Sequence, residues 1–315
     1  MRTIHAATAT LLLALAAGAT LAQDYPTRPI RILTAQAGGG NDFVARILAP
    51  AMTASIGQPV IIDNRTGLVS AEQVAKAPPD GYTVLLTGSS FWVSPFFREV
   101  PYDVAKEFAP VSQATRSPNI LVVHPSLPVK SVKELIALAR ARPGDLNYAA
   151  SQIGSPAHLT AELLKSMARL NLVLINYKGA GPAITALMSG EVQLMFSAAG
   201  SVTPHIKAGR LKALGVTSAQ PSALVPGVPP VAAAVPGFEV VSIIGFLAPA
   251  RTPDAVVNKL SQDITRVLAR PEIRQRFFAS GAEAIGSTPQ QFGKELRAEM
   301  DKWGRLIKEA GLRAE

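Results

Sequence analysis

The chain has 315 residues, 48% of them hydrophobic and 17% charged, with a formal charge of +9 and no cysteine. That length and apolar content supply core enough for two lobes of ordinary domain size and exclude wholesale disorder. The absent cysteines exclude disulfides, thiol nucleophiles, cysteine metal sites and a lipid-modified N-terminal cysteine, while the scattered basic residues, without aromatic interleaving, speak against a nucleic-acid partner.

The first stretch reads as an address. Met1-Arg2 is a short positive start, Leu11 to Ala17 an apolar block, and Thr20-Leu21-Ala22 a small-residue cleavage site, so a signal peptide over 1–22 and a mature start near Gln23 are expected. A membrane anchor is the competing reading, but threonines and His5 dilute the run and its apolar centre is short. Without Met1–Ala22 the charge is +8. The expected home is the periplasm, free of a lipid anchor, and the surplus positive charge is either a solvated surface or mild steering for small anions.

Ile30 to Leu48 reads as a buried strand, a glycine turn and a helix with Phe43, Val44, Ile47 and Leu48 at helical spacing and Asn41 as N-cap. Gly38, Gly39 and Gly40 leave no side chain between the first helical amides and a visitor. A helix start with bare amides is a ready anion site, because unpaired donors and the positive end of the dipole point the same way. A tight turn that binds nothing is the alternative. Pro59–Asp63, a helix near Ser70–Lys76 and Tyr82–Leu86 continue an alternation of apolar strands and helices that predicts a parallel sheet covered on both faces. Ligands on such sheets sit beyond the carboxyl ends of the strands, which puts Gly38–Asn41 at one rim with Thr87–Trp92, and so with Ser89, Ser90 and Phe91.

Ile120–His124 leads out of this first lobe. Ser131 caps a helix through Ala141, and Leu146–Ala149 is a strand. The loop 150–158 then enters a helix with Ser155 at the cap and Pro156 in the first turn. Leu172–Tyr177, a glycine turn at Gly179 and Gly181, a helix to Ser189, the strand Val192–Phe196, a helix to about Lys207 and the strand Lys212–Val216 follow. Pro221 to Pro236 is irregular, and Val241–Ala248 re-enters the first lobe. Helices open at Pro253, Pro271 and Thr288-Pro289. The last carries a stripe of Phe292, Leu296, Met300, Trp303 and Ile307, with Arg297–Asp301 and Asp301–Arg305 as expected ion pairs. The fold class expected is α/β, two lobes of the type II periplasmic-binding-protein or Venus flytrap kind. Lobe 1 is 23–123 plus 240–315, the last helix being the least certain part of it, and lobe 2 is 124–239. Two crossings between lobes leave a cleft that opens by hinge motion.

Tyr25–Arg31, the Gly-Gly-Gly-x-Asp-x-Val-Ala-Arg loop at 38–46, Pro79–Thr83, Pro101-Tyr102-Asp103, Phe108–Val111, Asn147-Tyr148-Ala149, Tyr177-Lys178-Gly179, Pro204–Gly209, Gly245–Ala250 and Pro271–Arg274 together resemble the periplasmic solute receptors of tripartite tricarboxylate transporters, often called Bug-type. The likeness runs in order through the whole mature chain. It implies a monomeric clamp that captures a small carboxylate, aromatic or dicarboxylic among the options, and delivers it to the permease subunits of such a transporter, with no cofactor and no metal. Carried over by position, it points to Gly38–Asp42 on one lobe and to Ser151, Gly154, Ser155 and His158 on the other. Asp42 could equally complement the helix dipole, and His158 could equally be a structural donor. Gly179 and Ser197 complete the candidate set.

Three features depart from the family pattern. Thr66–Val69 is shorter and more apolar than the usual glycine-rich piece. Ser197 stands where many members have aspartate, which disfavours ligands carrying an ammonium. Phe91-Trp92 could stack on an aromatic ligand or simply pack beneath Pro95-Phe96-Phe97. An enzyme is disfavoured by the absence of a Gly-x-Ser-x-Gly elbow, a Walker loop and a His-Glu-x-x-His site. Ser155 and His158 supply only fragments of hydrolase machinery. A ligand-sensing module serving a signalling partner uses the same capture chemistry and stays open.

Overall fold

The structure is a computed structural model that describes residues 25–65, 68–150, 155–309 and 311. The signal segment, Ser151 and Gly154, and Thr66-Gly67 of the shortened segment lie outside the described residues.

Strand β1 (Ile30–Thr34) runs through the glycine turn into α1 (Gly40–Ile56), followed by β2 (Val60–Asn64), α2 (Val69–Ala75), β3 (Thr83–Gly88) and the short α3 (Ser89–Val93). Both β2 and β3 lie parallel to β1. Strands buried on both faces need apolar residues at every position, and Ile32, Leu33, Val84, Leu85 and Leu86 meet that need. Helix α1 contributes Val44, Ile47, Leu48 and Met52 to this core. Phe43, counted in the apolar stripe, is 45% exposed instead: it sits in the first turn, facing the rim and away from the sheet.

Next come α4 (Val104–Glu107) and β4 (Phe108–Val123). The second lobe contains α5 (Val132–Ala141), β5 (Asn147–Ala150), α6 (Pro156–Ala168), β6 (Val173–Asn176), α7 (Ala180–Ser189), β7 (Leu194–Ala198), α8 (Ala199–Lys207) and β8 (Lys212–Val216). The chain returns as β9 (Val241–Pro249) and ends with α9 (Asp254–Leu268), α10 (Pro271–Ala279), β10 (Glu283–Ala284) and α11 (Pro289–Glu309).

The strand order is β2-β1-β3-β9-β4-β7-β5-β6, with β8 and β10 each also pairing β4. The α/β class holds, but the sheet is mixed. β5, β6 and β7 are parallel neighbours, whereas β9 is antiparallel to β3 and β4 is antiparallel to β9, β7 and β8. Strand β4 is longer than its sequence announces, since Pro110 and Pro118 interrupt the apolar pattern. It pairs with β9 as far as Pro118 and with β7 from Asn119 onward. The change of partner therefore lies inside a continuous strand at Pro118-Asn119. The second crossing enters β9 at Val241.

Helix α11 covers the first lobe. Thr288 and Gln291 form a reciprocal capping box, the Gln291 amide donating to Thr288 Oγ1 and the Thr288 amide to Gln291 Oε1. Phe292 lies over Gly245, where an added Cβ would sit 2.4 Å from the ring. Of the stripe, Phe292, Leu296, Trp303 and Ile307 are buried as read and Met300 is half-buried. Among the described residues neither expected ion pair on α11 closes. Arg305 Nε donates to the Asp301 carbonyl, and the pair that forms is Lys302–Glu299.

Candidate functional site

The start of α1 is capped by Gly39 without a side-chain hydrogen bond, so Asn41 is a first-turn residue and not the N-cap. The order of the loop comes from Asp42, which is buried and accepts from the Gly38 amide, Arg46 Nε and Asn64 Nδ2 at 2.8, 2.8 and 2.9 Å. Asn64 also donates to the Ala35 carbonyl, pinning the end of β1. The Arg46 guanidinium, helped by the Gly38 amide and Asn64 and opposed by burial, holds the Asp42 carboxyl down to about 2. Asp42 is thus the clasp of the loop.

That clasp changes which amides are on offer. Gly38 N–H is spent on Asp42, and Gly39 N–H reaches the Gln36 carbonyl at 3.3 Å. The amides of Gly40 and Asn41 open the helix and have no carbonyl one turn earlier to accept them. Gly40 is exposed, and a Cβ there would meet nothing within 4 Å. No packing demand of this chain calls for glycine at that position; the bare surface is left for something else.

Strands β1 and β3 are parallel neighbours, so the starts of α1 and α3 share a rim. The approach is close, with a Cβ on Gly88 falling 3.2 Å from Asn41 Oδ1. Between them lies a cavity of about 150 Å³ lined by Asn41, Ser70, Thr87, Ser90, Ser94 and Arg98, among others. Arg98 is exposed, and among the described residues no carboxylate lies within ion-pair distance of it. Tyr102 also borders the cavity, donates to the Phe91 carbonyl, and is pushed up by burial to about 12, so it stays neutral. The chamber therefore offers neutral donors and one positive charge.

Phe91 reaches this chamber only as a wall. It is buried, stacked on Tyr102 at 4.5 Å and edge-on to Phe108, while Trp92 is fully buried against Phe292. The packed-aromatic alternative is the one the structure adopts. Ser89 is also occupied: Ile243 N–H donates to its Oγ, tying the start of α3 to β9.

From the second lobe comes the start of α6. Ser155 is its N-cap, its Oγ accepting from the His158 amide at 3.3 Å, with Pro156 following. His158 is buried and its ring is parallel to Tyr148, with centroids 6.5 Å apart. Burial, reinforced by Lys165 and opposed by Glu162, pushes its pKa below 6.5, which keeps the imidazole neutral. Beneath it Tyr148 Oη donates to Glu162, which also pairs with Lys165.

A second cavity, of about 60 Å³, joins the lobes. Ser89, Ser90, Val93 and Phe97 line one side and Pro156 and Leu159 of α6 the other, with Val240–Ser242 and Trp303 closing it. The starts of α3 and α6 therefore face the same space, and α3 is the wall between the two cavities. Gly179 caps α7 with φ of 113°, and Ser197 is buried in β7 opposite Ile120; neither lines either cavity. Ser70, Thr87, Ser94 and Arg98 escaped the sequence reading. Thr87 lies in the rim stretch named there, but nothing in the local pattern brings Arg98 beside Asn41.

The sequence profile described as Tripartite tricarboxylate transporter family receptor matches residues 44–312. The UPF0065 protein of the tcbD–tcbE intergenic region of Pseudomonas sp. strain P51 is 35% identical, over 96% of this chain and 94% of that one. Among solved structures, R. palustris Rpa4515 with adipate is 35% identical with a TM-score of 0.75, covering 92% of this chain and 99% of the other. MatC from Rhodopseudomonas palustris with bound malate is 28% identical with a TM-score of 0.70, covering 90% and 100%.

Proposed function

Because this chain belongs to the tripartite tricarboxylate transporter receptor family, we propose that it holds a small carboxylate in the cleft between its lobes and hands it to the permease of such a transporter. Capture without turnover is the activity of the family. The observation that carries the reading for these residues is the open start of α1, whose Asn41 lines one cavity with Ser90 and with Arg98, a side chain with no ion-pair partner among the described residues. The open helix start, hydroxyls and a guanidinium border one small volume, and a carboxylate satisfies all three. Adipate and malate in two similar receptors support the ligand class.

The start of α6, capped by Ser155, closes the site from the second lobe, with Pro156 and Leu159 facing the cavity between the lobes. Periplasmic placement after removal of 1–22, and a single copy per clamp, complete the proposal. Among the described residues no helix is long and apolar enough to cross a membrane.

Thermal unfolding against a panel of mono- and dicarboxylates tests it. A ligand at about 100 times its dissociation constant adds about 2.7 kcal/mol of stability. Unchanged melting across the panel, or turnover of an ester or phosphate, would overturn the receptor reading.

A further inference from the structure

The two cavities adjoin across one wall. Ser90 and Ser94 line both, one helical turn apart on the ridge that α3 and its continuation form. On one side of that ridge lie Asn41 and Arg98, and on the other Val93, Phe97, Leu159, Val241 and Trp303. The geometry points to a ligand built the same way: a monocarboxylate whose anionic end lies by Asn41, Ser90 and Arg98 and whose short apolar tail crosses the ridge into the chamber between the lobes. This specificity rests on the receptor reading above and names the substrate class within it.

Chemistry and size set the tail. The chamber holds about 60 Å³, which at ~15 Å³ per water-sized sphere accommodates roughly four carbon atoms. Most of its lining is carbon, and two of its polar side chains are already engaged. Ser89 Oγ is bound to the backbone of Ile243, and Trp303 Nε1 donates to Glu299 at 2.8 Å. Glu299 is buried behind that indole, and its cation Lys302 is shared between Glu299 and the Glu239 carbonyl. A second carboxylate entering here would lose its water and find no cation among the described lining residues, the neighbouring Lys302 being spent on Glu299. An alkyl chain meets the apolar side chains of both lobes, and by filling the space between Val93 and Leu159 it favours the closed clamp.

Calorimetric titration of the purified protein with acetate, butanoate, hexanoate and adipate decides the matter. Hexanoate and adipate share a chain length and a first carboxylate and differ at the far end. The expected result is binding that tightens about fourfold per methylene from acetate to hexanoate, with adipate at least tenfold weaker than hexanoate. Ser242→Ile, which fills the chamber from β9, is expected to abolish the gain with chain length, so that hexanoate binds no tighter than acetate. Adipate binding as tightly as hexanoate, a flat response to chain length, or full retention of the hexanoate gain in the Ser242→Ile protein would overturn the tail chamber while leaving carboxylate capture intact. Should that variant fail to fold, the ligand series on the native chain still decides. Failure of every carboxylate to bind would overturn the receptor reading and the tail chamber with it.

Discussion

Asp42 shows how one residue that looks like a ligand contact also serves another purpose. Four positions after Gly38 and before Arg46, it reaches back to the loop and forward along the helix at once, and Asn64 completes the set. Replacing it with alanine removes three hydrogen bonds to a buried carboxylate and is expected to cost about 1–3 kcal/mol, measured by chemical denaturation. Its folded pKa lies below the ordinary 3.8. The stability it contributes is therefore present above that value and lost as pH falls toward 2. Asp42→Asn should flatten that acid limb of the melting profile. His158 has the same sign from a different cause. Burial keeps the imidazole neutral in the fold, while the unfolded chain takes up a proton near 6.5. Stability from this residue is complete above pH 6.5 and declines below it, and His158→Gln should make the melting temperature less sensitive to pH between 6.5 and 5. The sequence left both residues with two readings each, because a side chain's partners lie elsewhere in the chain.

At the level of elements, three helix starts meet the cleft and they are not equivalent. The starts of α3 and α6 carry serines, and that of α1 carries only glycine. Ser155→Ala removes the one side-chain cap of α6 and is expected to cost about 1 kcal/mol in unfolding free energy. Gly40→Leu separates binding from stability. A Cβ there meets nothing within 4 Å on an exposed position, and leucine is the better helix former, so the apo melting temperature should hold or rise. The carboxylate-induced shift should vanish, because the side chain occupies the space in front of the free amides. The Ser155 cap was legible, since a serine before a proline-led apolar run acts through its own next turn. Asn41 was misassigned as a cap because glycine at 39 already supplies the extended backbone one step earlier. The fate of Phe91 was open for a different reason: the stacking partner Tyr102 belongs to a later loop.

In the whole molecule the two crossings meet at one side chain. Thr217, fully buried just after β8, accepts from the Asn119 amide at 2.8 Å and donates to the Val240 carbonyl at 2.5 Å, while its backbone bonds to the same two residues. Asn119 is where β4 changes sheet and Val240 is where the chain comes back. Thr217→Val keeps the shape and strands two buried backbone groups, which is expected to cost about 2–4 kcal/mol. Small-angle scattering should then show a broader spread of lobe separations without ligand, narrowed by a bound carboxylate.

The alternation of strand and helix, the two glycine- or serine-led turns and the apolar face of α11 could all be read from the sequence alone, because each rests on spacing within a turn or two of chain. The antiparallel insertion of β4 and β9, the change of sheet partner inside β4 and the placing of Arg98 and Asn41 on one chamber were decided only by tertiary structure. Those depend on which rims the folded sheet brings together, and residues far apart in sequence carry no local mark of meeting.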